Sequence, residues 1–193
     1  DPIPPAAKEI AVRARLLCFD ELHVTDIADV HILGRLFEAL LEAGADPLIV
    51  IEKDARFLPL LEPLVAWSRG RLRIVPGDAL EVDEEKLLNG ARAAIISNLP
   101  YNVGTPLLVK WLKAGPWRGD MILMFQKEVA QRIVAKPGAD AYGRLAVLAQ
   151  ARCAARLEFV VGPRAFTPPP KIASAIVRLT DLADPYPHLD ALE

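Results

Sequence analysis

Cysteine is scarce in this chain. Of 193 residues only Cys18 and Cys153 are cysteines, far apart and without a Cys-x-x-Cys spacing. That excludes a disulfide framework and a cysteine-built zinc site, and it fits a reducing compartment. His23, His31 and His188 stand without ligand spacing, so no metal is expected. No uninterrupted apolar run reaches the ~18 residues that suggest a membrane span. The start, Asp1-Pro2-Ile3-Pro4-Pro5, is not a basic segment before an apolar core. No signal peptide is read there, and a cytoplasmic location is expected. No Ser-His-Asp or Cys-His constellation and no internal repeat is visible. What is present is globular: 52% apolar and 25% charged residues, enough chain for one domain with a sizeable core.

The net charge of −2 argues against a nucleic-acid partner, but its distribution does not. Residues 1–99 carry −6, residues 100–178 carry +8 and residues 179–193 carry −4. The basic stretch suits a polyanion footprint, or it is scattered solvated charge. Its candidate polyanion contacts are Lys127, Arg132, Arg144 and Lys171.

Periodicity predicts alternating elements. After a Pro-rich arm, Ala6–Leu17 reads as a helix and Leu22–Ile27 as a strand. A helix over Ile32–Ala43 has Gly44 as its C-cap. Strand Leu48–Ile51 ends at Glu52, and Asp54 caps a helix through Trp67. Leu72–Val75 is a strand, Glu84–Leu88 a short helix and Ala93–Ser97 a strand. Helix Thr105–Lys113, strand Met121–Phe125, helices Lys127–Ala135 and Arg144–Ala154, and strands Leu157–Val161 and Ala173–Leu179 complete the chain. Strands alternating with helices predict an α/β, doubly wound parallel sheet. Ligands bind such sheets beyond the carboxyl ends of the strands. Glu52, Asp78 and Asn98 each lie at or just past a predicted strand end.

Those three residues carry chemistry. Glu52 can accept both hydroxyls of a ribose, although acids after strands are common. Asp78 can accept from an adenine amine while the Ala79 amide reaches a ring nitrogen. Alone, Asp78 serves equally as a turn or capping residue. Together they suit S-adenosylmethionine better than a dinucleotide. Asn98-Leu99-Pro100-Tyr101 then presents an amide oxygen, a carbonyl and a flat ring at one strand exit. The Asn98 oxygen and the Pro100 carbonyl can take the two hydrogens of a planar amine. Tyr101 can pack on the base and favour a sulfonium by cation–π attraction. An ordinary β-turn is the plainer alternative. Phe166, in Phe166-Thr167-Pro168-Pro169-Pro170-Lys171, can stack on an unstacked base, with Lys171 at a phosphate. The plainer reading there is a polyproline linker.

Asn98-Leu99-Pro100-Tyr101-Asn102-Val103-Gly104-Thr105-Pro106 resembles the catalytic motif of the KsgA/RsmA ribosomal RNA adenine dimethyltransferases. Met124–Ile133, Tyr142–Val147 and Phe166–Ala175 resemble the family's later segments. Ile51-Glu52-Lys53-Asp54 and Gly77-Asp78-Ala79-Leu80 resemble its ribose and adenine segments. The likeness runs from about Ala39 to Leu179. It implies a Rossmann-like, class I S-adenosylmethionine-dependent methyltransferase sheet with an antiparallel last strand. It also implies N6,N6-dimethylation of two adjacent adenosines near the 3′ end of small-subunit (16S) rRNA, in an assembling 30S subunit. Carried over by position, Glu52 holds the ribose and Asp78 and Ala79 the cofactor adenine. Asn98 and Pro100 hold the target amine, with Tyr101 and Phe166 against its ring. Residues 1–180 are read as the catalytic domain, 181–193 as the start of a truncated C-terminal segment, and a monomer is expected.

The likeness departs in one place. The family's glycine-rich loop after its first strand should fall at Ala28–Arg35, where only Gly34 fits a glycine position. The N-terminal Gln-Asn-Phe-Leu segment and the C-terminal helical lobe are also absent. A replaced segment, a sequence joined across omitted loops and an edited core all remain open. So does a second function: a ribosome-assembly RNA-binding factor on this fold that does not methylate.

Overall fold

Strand β2 (Leu48–Glu52) is buried along its whole length. A strand covered on both faces reads as a continuous apolar run, and Leu-Ile-Val-Ile is one. The computed structural model describes residues 16–19, 27–99, 102–166 and 168–186. It falls into two compact units, Asp1–Ser97 and Asn98–Glu193.

In the first unit β2 lies between two parallel partners. Strand β1 (Leu16–Phe19) pairs with it from Leu16↔Ile49, and β3 (Leu72–Pro76) from Leu48↔Leu72 to Glu52↔Pro76. With β4 (Ala93–Asn98) the order is β3-β2-β1-β4. Parallel neighbours need crossover connections. Helices α1 (Ile27–Glu42), α2 (Leu58–Ser68) and the short α3 (Glu84–Leu87) lie in them. Phe37, Leu40 and Leu41 of α1 pack with Leu61, Val50 and Leu72 into the core. Each such side chain contributes about 1.5–3 kcal/mol by leaving water. Gly44, at φ 99°, ends α1: its N–H donates to the Leu41 carbonyl and that of Ala45 to Leu40. The expected glycine cap is therefore present.

Two expectations in this unit need correction. Leu16 and Leu17, expected at the end of a helix, belong to β1, because pairing with β2 overrides the local preference of a short apolar run. The rest of that predicted helix and most of the strand Leu22–Ile27 lie outside the described residues; Ile27 itself opens α1. Asp54 does not cap α2. Its carboxylate accepts from the Arg56 backbone N–H at 2.9 Å and from the Arg56 guanidinium. The helix starts four residues later, behind Phe57 and with a proline in its first turn.

The second unit is antiparallel. Strand β7 (Ser174–Asp181) lies between β5 (Arg118–Gln126) and β6 (Cys153–Val161) and runs against both. The antiparallel last strand is as expected. Met121, Leu123 and Phe125 alternate inward along β5. A bulge between Leu157 and Phe159 puts an extra residue into β6. Helix α4 (Gly104–Lys113) buries Leu107, Leu108, Trp111 and Leu112 completely. Helices α5 (Lys127–Val134) and α6 (Arg144–Arg152) are tied together by Gln150, whose amide donates to the Ile133 and Ala135 carbonyls at 3.0 and 2.7 Å. That satisfies carbonyls otherwise orphaned at the end of α5. The last two residues of the predicted helix Arg144–Ala154 instead open β6. Buried Arg118 pairs with Asp181, joining the start of β5 to the end of β7. Beside them burial pushes the Cys153 thiol up to about 11, so this cysteine stays protonated at neutral pH.

Candidate functional site

In the first unit, the exits of β2 and β3 are held side by side. Beyond the pair Glu52↔Pro76, the Gly77 N–H donates to the Glu52 carbonyl at 3.0 Å. Two acids therefore leave adjacent parallel strands together, Glu52 as the last residue of one and Asp78 two past the end of the other. The Glu52 side chain is fully buried, and its Oε1 accepts the Asp54 N–H at 2.7 Å. The Asp78 carboxylate is held at both oxygens. Its Oδ1 accepts the Leu80 N–H at 2.9 Å and its Oδ2 accepts Lys53 Nζ at 2.6 Å. The Asp78 carbonyl takes the Glu81 and Val82 N–H groups, forming the turn that buries Ala79. Next to this site the Arg56 guanidinium, by hydrogen bonding, holds the Asp54 carboxyl down at about 2.

This donor set fits the adenosine part of a nucleoside cofactor: one acid for a diol, one for an exocyclic amine. The methionine part is another matter. Residues 28–35 lie inside α1 and form no loop. Gly34 is used for packing: a Cβ there would stand 3.0 Å from Leu64 Cδ2 of α2. The one glycine that matched the expected loop thus admits a neighbouring helix.

In the second unit, Asn98 ends β4 with its side chain exposed, while Leu99 turns inward at 3% exposure. Pro100 and Tyr101 lie outside the described residues. The chain is described again from Asn102, and α4 opens at Gly104. A Cβ on Gly104 would meet Leu99 Cβ at 3.3 Å and the Phe125 ring at 3.4 Å. Bare backbone at this point lets the start of α4 sit against the end of β4 and β5. Phe166 follows a 3-10 turn, Pro163–Ala165, and is half-buried.

The basic candidates fall on one run of elements in this unit. Lys127 and Arg132 are exposed on α5, Arg144 opens α6 and Lys171 stands on the loop before β7. The Lys127 N–H donates to the Ala173 carbonyl at 2.9 Å, which ties the start of α5 to the Lys171 loop. Lys53 was not singled out from sequence. Its only signal was its place between two acids in Glu52-Lys53-Asp54. Among the described residues no group of three or more His, Cys, Asp or Glu is placed to hold a metal, and no helix is long and apolar enough to cross a membrane.

Known proteins share this fold. The crystal structure of a dimethyladenosine transferase from Plasmodium falciparum matches with TM-score 0.73 at 24% identity, covering 94% of this chain and 62% of the other. That of the 23S rRNA methyltransferase ErmE matches with TM-score 0.70 at 22% identity, covering 99% and 71%. The fold is accordingly the Rossmann-like methyltransferase fold. Ribosomal RNA small subunit methyltransferase A of Rhodopseudomonas palustris (strain TIE-1) is 54% identical over 157 residues, covering 80% of this chain and 55% of that protein. The protein of the same name from Caulobacter vibrioides is 59% identical over 147 residues, covering 76% and 56%. The chain thus spans about half the length of the curated relatives it matches. A family model described as Ribosomal RNA adenine dimethylase matches residues 7–192. The chain belongs to the ribosomal RNA adenine dimethylase family.

Proposed function

We propose that this chain is the catalytic part of a small-subunit rRNA adenine dimethyltransferase. It uses S-adenosylmethionine to dimethylate two adjacent adenosines near the 3′ end of the RNA during 30S assembly. The observation that carries the reading is the 3.0 Å bond from Gly77 N–H to the Glu52 carbonyl, which sets two acids at neighbouring strand exits. Glu52 takes the ribose, and Asp78 with the Ala79 amide takes the adenine. The cofactor supplies an electrophilic methyl carbon on a sulfonium. The Asn98 side-chain oxygen and the Pro100 carbonyl accept the two hydrogens of the target amine. They orient its nitrogen and favour the pyramidal geometry that attack requires. Leu99, buried below, anchors that exit. Tyr101 and Phe166 pack on the target ring. Because the methyl donor is already reactive, positioning supplies most of the catalysis. Lys127, Arg132, Arg144 and Lys171 meet RNA phosphates. Residues 1–180 act as the catalytic domain, 181–193 begin a further segment, and the protein works as a cytoplasmic monomer.

One observation favours a second reading, an assembly factor that binds RNA without methylating it: residues 28–35 are helical where the family's glycine-rich loop is expected. A single assay separates the two. The chain is incubated with labelled S-adenosylmethionine and small subunits that lack the two dimethyladenosines. Label on adenine, lost in Asn98→Ala, supports the enzyme. RNA binding without cofactor binding supports the assembly factor and sinks the first reading.

A further inference from the structure

Lys53 is the residue that the site uses and no motif reading assigns. It follows Glu52 at the exit of β2, and Asp78 follows Gly77 at the exit of β3. The Gly77 N–H to Glu52 carbonyl bond keeps the two exits in register, so a side chain of lysine length bridges them. Its Nζ lies 2.6 Å from Asp78 Oδ2, while the other carboxylate oxygen is held by the Leu80 N–H at 2.9 Å. One oxygen bound by backbone and the other by a cation fix the plane of the carboxylate. Loss of the cation loosens the carboxylate about its Cβ–Cγ axis, a soft sp³–sp² torsion. A carboxylate oxygen accepts more than one hydrogen bond, so the lysine and an amine can share Oδ2.

We infer that Lys53 is a positioning residue for base recognition: it holds the Asp78 carboxylate in the orientation that an adenine amine requires. The inference rests on the reading of Asp78 as the base-binding acid. The lysine side chain is 58% exposed and that of Asp78 19%. The contact is therefore partly screened by solvent, and its effect is a few-fold one. That effect falls on selectivity for the base, because what Lys53 sets is the direction of an acceptor.

The test uses two stable ligands, S-adenosylhomocysteine and S-inosylhomocysteine, titrated calorimetrically into the full chain. The second carries an oxo group where the first carries the amine. Wild type prefers the adenosyl ligand. Lys53→Met narrows that preference by about two- to fivefold, and Lys53→Arg restores most of it. In an Asp78→Asn background, Lys53→Met changes the preference no further. Equal weakening of both ligands in Lys53→Met means a structural role only and overturns the inference, as does an unchanged or widened preference. If Asp78→Asn abolishes the preference while Lys53→Met keeps it, only the role of Lys53 falls. If Asp78→Asn keeps the preference, the reading of Asp78 falls and takes the inference with it.

Discussion

The acids of the first unit and the polar residues of the second are treated differently by the protein. Glu52 is fully buried, and both Glu52 and Asp78 are bound by backbone N–H groups, Asp78 also by Lys53. Asn98 is exposed, Phe166 is half-buried, and Lys127, Arg132, Arg144 and Lys171 all face water. Groups preset by the fold suit a small cofactor, because orientation is then established before it arrives. Groups left to solvent suit a macromolecule that brings its own surface. In the proposed function the first set holds the cofactor and the second meets RNA.

The comparison breaks most visibly at Asn98. Asn98→Ala is expected to lower methyl transfer by about a hundredfold or more while cofactor affinity and the unfolding midpoint stay near wild type, because the removed amide is exposed and acts on the reacting nitrogen. Labelled-methyl counting beside a urea titration checks both halves; a large loss of cofactor affinity would move Asn98 to the other set. Gly104→Val tests the packing under that exit. Its Cβ alone approaches Leu99 and Phe125 within 3.3 and 3.4 Å, so a loss of about 1–3 kcal/mol in urea unfolding is expected. Stability equal to wild type would show that the start of α4 can shift.

Glu52→Ala belongs to the preset side. It should weaken S-adenosylhomocysteine binding by about tenfold, the size of one lost charge-assisted hydrogen bond. Unchanged affinity in calorimetry removes the ribose role. On the solvent side, Lys127→Ala and Arg132→Ala should each weaken RNA binding a few-fold and flatten the salt dependence by about one unit of slope. A salt slope identical to wild type would mean that neither cation meets phosphate. The smallest effect is at Asp54. Arg56 holds its carboxyl near 2, below the ordinary 3.8. The native state thus binds this proton less readily than the unfolded chain. Its contribution is full above about pH 4 and is lost as pH falls through 2. In Asp54→Asn, unfolding midpoints measured from pH 5 to pH 2 should lose that part of the acid slope.

Much of the arrangement was legible because local punctuation carries it. Leu48–Ile51 before Glu52 and Ala93–Ile96 before Ser97-Asn98 are apolar runs that stop at a polar residue, while Leu72–Val75 is marked by the turn Pro76-Gly77-Asp78 that ends it. A strand buried on both faces must read that way. Leu16 and Leu17 read as the end of a helix because a short apolar run has no period of its own; β2 decides their state by pairing. Asp54 looked like a helix cap because capping depends on where the carboxylate turns, and Arg56 turns it elsewhere. Gly34 looked like part of a ligand loop because a glycine at a matching position does not say what approaches it.

The chain by itself determined the kinds of group at the strand exits: an acid at Glu52, an acid at Asp78, an amide at Asn98. Each depends on one residue and its immediate neighbours. The tertiary structure alone decided that Lys53 meets Asp78, 25 positions away, and that Gly34 receives Leu64. Those contacts follow from the register of parallel strands and the packing of crossover helices. Register and packing depend on which distant surfaces bury each other, and no window of neighbouring residues contains that information.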